Sequence, residues 1–262
     1  FCTNPVLKLN EKYCWEFYNP VLQKYMSLED TLIKVDGKLC RLEVARDITE
    51  QKRTISALEG QLTVEETLIR CIQTLTLERD MDQAVCQLLQ IIGEYYSGSR
   101  AYILEFDFQQ EVFNNSFEWC ARGVEAEIHR MRGIPLSLIT EWIRNLQECG
   151  QFYLATLPGE QKEASQEEFK ILSARGVESL LAAPLVKDDK VIGILGVDEP
   201  TANFADMTLL RSVTCFILDN LEKRRMVKQL EYLSYTDMLT GLLNRNKYVQ
   251  ILQGFDQASL DT

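Results

Sequence analysis

The sequence predicts an α+β fold. Three observations predict it: runs in which apolar and polar residues alternate, runs in which apolar residues return at helical spacing, and hairpin turns that join neighbouring strand runs. With 262 residues the chain is long enough for one large domain, or for one domain with parts of its neighbours, and its 46% apolar and 26% charged content is that of ordinary globular protein. The net charge of −11 argues against a nucleic-acid partner, because such a surface needs a basic patch to neutralise phosphates. The short basic run Lys223-Arg224-Arg225 reads as a solvated helix face. Within these residues no apolar run reaches the length of a bilayer-spanning helix and no signal peptide precedes the first strand; with Phe1 rather than methionine at the start, either is open upstream. The eight cysteines include no Cys-x-x-Cys pair, and Cys71, Cys86 and Cys215 fall on apolar helical faces; this distribution points to a reducing cytoplasm.

Residues 1–50 read as strands. Tyr13, Trp15 and Phe17 alternate with Cys14, Glu16 and Tyr18, and runs at Tyr25–Lys34 and Leu39–Ile48 are joined by the hairpin signal Asp36-Gly37. Such a meander leaves one face uncovered and is expected to be the tail of a larger domain. From Ile48 the pattern turns helical. Ile48, Ile55, Leu62 and Ile69 recur at heptad spacing with Leu58 and Ile72 between them, interrupted by Gln51 and Glu65 and weakened by Gly60. A short parallel dimer seam is expected, with a single buried helix as the alternative.

Helical periodicity then covers Leu68–Tyr95, where Leu88, Leu89, Ile91 and Ile92 supply apolar area, and Tyr96-Ser97-Gly98-Ser99 breaks it. Strands are expected at Arg100–Asp107 and Glu111–Trp119, a helical region at Leu138–Leu146, a further strand at Gln151–Leu157 and a Glu-rich helix around Ser165–Ala174. Ser179–Val186 and Lys190–Asp198 follow as strands joined by the tight connection Lys187-Asp188-Asp189. A long helix from Phe204 to about Leu233 leads to Asp237-Met238-Leu239-Thr240-Gly241-Leu242-Leu243-Asn244-Arg245. Physically that stretch is a corner between two helices. Val227, Leu230 and Leu233 precede it at helical spacing, Gly241 permits the turn, Asn244 is a plausible N-cap, Tyr248, Ile251 and Leu252 form the next helical face, and Gly254 is its stop.

Three resemblances follow from these residues. Asp237, Leu239, Thr240, Gly241, Leu242, Asn244 and Arg245 match the opening motif of a GGDEF domain, the diguanylate cyclase module of bacterial signalling proteins. Arg46-Asp47-Ile48-Thr49-Glu50-Gln51-Lys52-Arg53 resembles the junction that ends PAS domains and starts a signalling helix, and the preceding strands suit the last PAS strands. The order of elements between about Glu66 and Arg224 resembles a GAF domain, most characteristically in Val177–Val186 and Val191–Asp198, the closing hairpin of a central antiparallel sheet flanked by helices. Together they imply a PAS–GAF–GGDEF protein truncated at both ends: the C-terminal part of a PAS domain at 1–49, a coiled-coil helix at 50–65, a GAF domain at 66–224, a linker helix at 225–236 and the start of a GGDEF domain at 237–262.

The resemblance also implies what the chain does not carry. A diguanylate cyclase acts on a pair of GTP molecules with magnesium, and its metal-binding carboxylates and Gly-rich turn would lie after Thr262, so no catalytic residue, cofactor or metal ligand is assigned within the chain; Asp256 and Asp261 read as loop residues. A GAF ligand pocket is the other candidate site, with Trp119, Arg122, Trp142 and Tyr153 as lining residues and an unidentified small molecule as occupant. Plain core packing is the competing account of Trp119 and Trp142. Asn203, Phe204 and Asp206 only loosely match the pattern of nucleotide-binding GAF domains. Cys120 and Cys149 are the candidate thiols for an attached tetrapyrrole, but neither has beside it the histidine that such GAF sites generally place there, and His129, the single histidine, gives no zinc set with scattered cysteines. The expected function is a sensory segment, homodimeric through its linker helices, that controls a cyclase making cyclic di-GMP; the alternative is a non-catalytic ligand-binding or interaction module with a degenerate GGDEF domain.

Overall fold

The structure, a computed structural model, describes residues 7–78, 80–150, 152–155, 176–236, 240, 242–245 and 247–248, with 152–155, 228 and 231 described by their backbone alone. The chain divides into two compact units, Phe1–Glu65 and Glu66–Thr262.

In the first unit β1 (Lys12–Asn19), β2 (Lys24–Val35) and β3 (Lys38–Asp47) form an antiparallel meander. The β2–β3 turn places Asp36 at φ 50° and Gly37 at φ 82°, the left-handed pair that a two-residue hairpin matched to strand twist demands. Tyr13, Trp15, Phe17 and Leu28 line a depression of about 440 Å³ on the sheet. On the same face the fully buried Asp30 is gripped at both oxygens by Arg41, at 3.0 Å from Nε and 2.7 Å from Nη2. Helix α1 (Thr49–Leu77) begins at a dense junction: Ile48 N–H donates to Tyr25 O at 2.9 Å, Thr49 Oγ1 accepts from Tyr25 N–H at 2.9 Å, and Asp47 accepts from Thr49 N–H at 3.0 Å while pairing with Lys24 at 2.6 Å. The hydrogen bonds from Lys24 and then Thr49 hold the Asp47 carboxyl well below the usual range.

The second unit is α+β. Its sheet has six antiparallel strands in the order β6-β5-β4-β9-β8-β7: β4 (Arg100–Asp107), β5 (Val112–Cys120), β6 (Ile134–Pro135), β7 (Phe152–Ala155), β8 (Ser179–Lys187) and β9 (Lys190–Asp198). This is the antiparallel sheet flanked by helices expected of a GAF-like fold. Asp188 and Asp189, both at positive φ (48° and 59°), close the β8–β9 hairpin; aspartate tolerates that region better than most side chains. Helices α2 (Met81–Tyr96) and α4 (Thr208–Tyr235) cover one face of the sheet, and α3 (Thr140–Cys149), entered through a 3₁₀ turn at Leu136–Ile139, covers the other.

Helical periodicity alone ran Leu68–Tyr95 together; the structure interrupts it after Leu77 and restarts it at Met81. The reason is Asp80, whose carboxylate accepts from the N–H groups of Asp82 and Gln83 as an N-cap. Likewise the last long helix starts at Thr208 rather than Phe204, because Asn203 takes φ 55° and Asp206 accepts from Thr208 N–H at 2.8 Å. The expected helix around 165–174, and Ile251, Leu252 and Gly254 near the C-terminus, lie outside the described residues.

One irregularity in β5 decides which side chains reach which face. Ile103 pairs with Phe117 and Leu104 with Asn115, leaving Ser116 as an extra residue. Phe113 and Asn115 therefore share the face of Tyr102 and Leu104, whereas Phe117 and Trp119 share that of Ala101 and Ile103. Trp119 lies against α2 at Gly93, where an added Cβ would come 2.2 Å from Cζ3 of the indole. Gly93→Ala tests this. Helix propensity favours alanine by about 1 kcal/mol, and overpacking a fixed ring costs about 1–3 kcal/mol. A net destabilisation is expected in urea unfolding, against the gain an unobstructed helical position would give.

Candidate functional site

The inner face of the sheet, under α3, carries an apolar cluster of Tyr102, Leu104, Phe113, Ile139, Trp142 and Leu146 with their neighbours. Set into that face are buried polar groups from β4, β5 and β9. Tyr102 Oη donates to Asp198 Oδ1 at 2.9 Å, and Arg100 Nη1 lies 3.7 Å from Asp198 Oδ2. Asp198 is fully buried and Arg100 nearly so; Arg100 also donates from Nε and Nη2 to Glu125 O at 3.2 and 3.1 Å. Glu118 accepts from the backbone N–H groups of Glu127 and Ile128 at 2.7 and 3.0 Å, and from Asn115 Nδ2 at 3.3 Å. These charge-assisted bonds lay the segment Ala121–Arg132 across the strands. Asn115 Oδ1 is buried with no hydrogen-bond partner among the described residues, which leaves a carbonyl acceptor on this face.

Of the four residues read from the sequence as pocket lining, Trp119, Arg122 and Trp142 do not converge. Trp142 belongs to the inner cluster, Trp119 lies on the opposite face against α2, and Arg122 is exposed in a turn. Tyr153 is described by its backbone alone, paired with Leu181. The groups that sequence reasoning missed are Asn115, Glu118 and Asp198, polar residues in strands with no motif around them; their signal was a polar side chain on a strand face otherwise occupied by Phe113, Leu104 and Ile194.

Cys120 is half-buried at the end of β5, and burial first, then the Glu118 carboxylate, pushes its thiol up, which disfavours the thiolate form needed for attachment chemistry. Cys149 and His129 are exposed. Asn203, Phe204 and Asp206 form the entry to α4, where Asn203 Nδ2 donates to Tyr95 O at 2.8 Å. Among the described residues no group of His, Cys, Asp and Glu is arranged to hold a metal, and no helix is long and apolar enough to cross a membrane.

The second functional element is the exit helix. On α4, Leu209, Leu210, Val213, Ile217 and Leu221 are buried, and Tyr96 Oη anchors its start, donating to Asp206 O and accepting from Leu210 N–H, each at 3.3 Å. Its second half exposes Met226, Val227, Leu230 and Leu233. At its end Asn244 N–H donates to Tyr235 O at 2.8 Å, Asn244 Nδ2 donates to Ser234 O at 2.7 Å, and Asn244 Oδ1 accepts from Lys247 N–H at 3.2 Å. Asn244 thus satisfies carbonyls left over at one helix end and caps the next. Lys247 Nζ sits 4.6 Å from the Tyr235 ring centroid. Of the remaining motif residues Thr240, Leu242 and Arg245 are described, and Asp237, Leu239 and Gly241 lie outside the described residues. Asn244→Ala is expected to cost the corner about 1 kcal/mol, the usual worth of a lost cap, seen as faster amide exchange at positions 244 and 247 with the core unaffected.

No protein-family model matches the chain. A stretch of 160 residues, 60% of this chain and 18% of its relative, is 25% identical to the methanogenesis regulatory histidine kinase FilI of Methanothrix harundinacea (strain 6Ac). The chain therefore corresponds to less than a fifth of that protein's length. Among solved structures, the phycoerythrobilin-bound GAF domain of a cyanobacterial phytochrome matches at 13% identity and a TM-score of 0.48, covering 64% of this chain and 99% of that one. The PixJ GAF domain of Thermosynechococcus elongatus, in its blue-light absorbing form, matches at 20% identity and 0.43, covering 60% and 94%. The GAF domain of an Acinetobacter phosphoenolpyruvate-protein phosphotransferase matches at 11% identity and 0.46, covering 64% and 98%.

Proposed function

We propose that the chain is a non-catalytic sensory and coupling segment of a signalling protein, in which a GAF-like unit governs the set of an outgoing helix. The observation that carries this reading is α4 itself: one continuous helix whose first half is locked into the sheet's core and whose second half leaves it with an unpartnered apolar stripe. A helix built this way passes a change at the sheet on to whatever follows, by favouring one of two helix arrangements. The proposed input is an unidentified small molecule with a hydrogen-bond donor directed at Asn115 on the inner face. Residues 1–49 are taken as the end of a PAS fold and α1 as its signalling helix. Exposure of Ile55, Leu58, Leu62 and Ile69 on one helix supports a second copy of the chain as the dimer partner.

The output proposed is a GGDEF domain beginning at Asp237, which would join two GTP molecules with magnesium at residues beyond Thr262. The Asn244 corner supports that assignment, since it gives a motif residue a structural task. The similarity to FilI favours a second reading, a segment of the kind found in regulatory histidine kinases. Incubating the complete gene product with GTP and magnesium, and separately with labelled ATP, distinguishes them. Cyclic di-GMP in the first supports the cyclase output, histidine phosphorylation in the second replaces it, and neither product leaves the interaction-module reading.

A further inference from the structure

We propose that Arg224 and Asp82 form a clasp coupling the start of α2 to the outgoing helix α4, so that α4 is set from the α1–α2 joint as well as from the inner face of the sheet. Burial along α4 ends at Leu221, and from Arg225 to Ser234 every described side chain is exposed. The turn between carries the last holds on the domain. Glu222 pairs with Lys187 of β8 at 2.6 Å, and Arg225 with Glu105 of β4 at 2.7 Å. Both pairs have an exposed partner and so contribute little.

The Arg224 pair shares that weakness, since Asp82 is exposed, but Arg224 itself is half-buried and is held by more than one contact. Its Nε lies 2.5 Å from Asp82 Oδ1 as an ion pair, and Nη2 donates to Asp82 Oδ2 at 3.2 Å. The guanidinium lies 4.8 Å from the ring centroid of the buried Phe117, so a planar fork is held by stacking and by charge together. Asp82 stands in the first turn of α2, two residues after the Asp80 N-cap and just past the end of α1 at Leu77. A displacement of that first turn moves the carboxylate that holds α4 at the point where it leaves the sheet. The clasp belongs to the unit itself and holds whichever output domain follows.

Native-state amide exchange on the full chain tests it. Asp82→Asn and Arg224→Met, the latter keeping a long side chain over Phe117, are each expected to speed exchange across Glu222–Tyr235 severalfold, and the double variant no further, because both remove one interaction. Asp80→Ala removes the α2 cap without touching α4; it is expected to speed exchange in Glu222–Tyr235 when Arg224 is present and not in the Arg224→Met background. Additive single effects, unchanged α4 protection in Asp82→Asn, or an Asp80→Ala effect confined to α2 would overturn the clasp. Should Arg224→Met fail to fold, Asp82→Asn and Asp80→Ala alone decide it, since both alter exposed groups on α2.

Discussion

Asp198→Ala is expected to destabilise the second unit by about 3 kcal/mol, at the lower end of what breaking a buried ion pair costs. Asp198 is completely enclosed, accepts from Tyr102 Oη and lies opposite Arg100, itself 8% exposed. Removing the carboxylate leaves a buried hydroxyl and a buried guanidinium facing a space the size of the lost group. Two features moderate the loss. The ion pair is long, at 3.7 Å, and Arg100 keeps its two bonds to Glu125 O. Tyr102→Phe, which removes one donor to the buried carboxylate and strands no charge, should cost about 1.5–3 kcal/mol. Urea unfolding followed by near-ultraviolet dichroism gives both values. Arg100→Met combined with Asp198→Ala should cost less than the two separately, since neither charge is then stranded. A loss below about 1 kcal/mol for Asp198→Ala would mean that water reaches the site and that the polar cluster is not part of the core.

The fold was legible where period and punctuation agree. Strand alternation and the Asp36-Gly37 and Asp188-Asp189 turns located β1–β3 and the β8–β9 hairpin within a residue or two. What escaped was decided by single side chains acting across the chain. Asp80 ends one apolar-periodic run and begins another by capping, which period alone does not register. The extra residue at Ser116 reverses the facing of everything after it in β5, so Trp119, which shares odd-numbered spacing with Phe113, goes to the other side of the sheet. Gly93 shows why the indole fits there: the small residue and the large one are complementary across α2 and β5. The candidate site was less legible than the fold. Trp142 was found as an aromatic on a helical face, but Asn115, Glu118 and Asp198 are identified by what they bond to, and those partners lie on other strands and in the 121–132 segment. Asn244 was readable as an N-cap, and its Oδ1 accepts from Lys247 N–H as a cap does; its holds on Ser234 and Tyr235 were not readable, because those partners lie across the corner.

Replacing Leu230 and Leu233 together by aspartate is expected to abolish dimerisation while leaving the folded unit intact. The two leucines are 65% and 48% exposed on the part of α4 that has left the sheet, so the substitution removes little intramolecular packing and should change unfolding free energy by about 0.5 kcal/mol. In a dimer through this stripe each leucine would be covered by the partner helix, contributing about 1.5–3 kcal/mol when fully buried. Four lost leucines and four introduced carboxylates facing one another therefore remove far more than the roughly 4 kcal/mol that separates a micromolar from a nanomolar complex. Sedimentation equilibrium at micromolar concentration should show a dimer for the parent chain and a monomer for the variant, with closely similar thermal midpoints in dilute solution. If the proposed cyclase output follows, the same change should remove its regulated activity in the complete gene product, since that proposal has the helix seam bring the paired sites together. An unaltered dimer would show that α4's stripe is not the seam, and would shift the interface to Ile55, Leu58, Leu62 and Ile69 of α1, where Leu58→Asp and Leu62→Asp repeat the measurement.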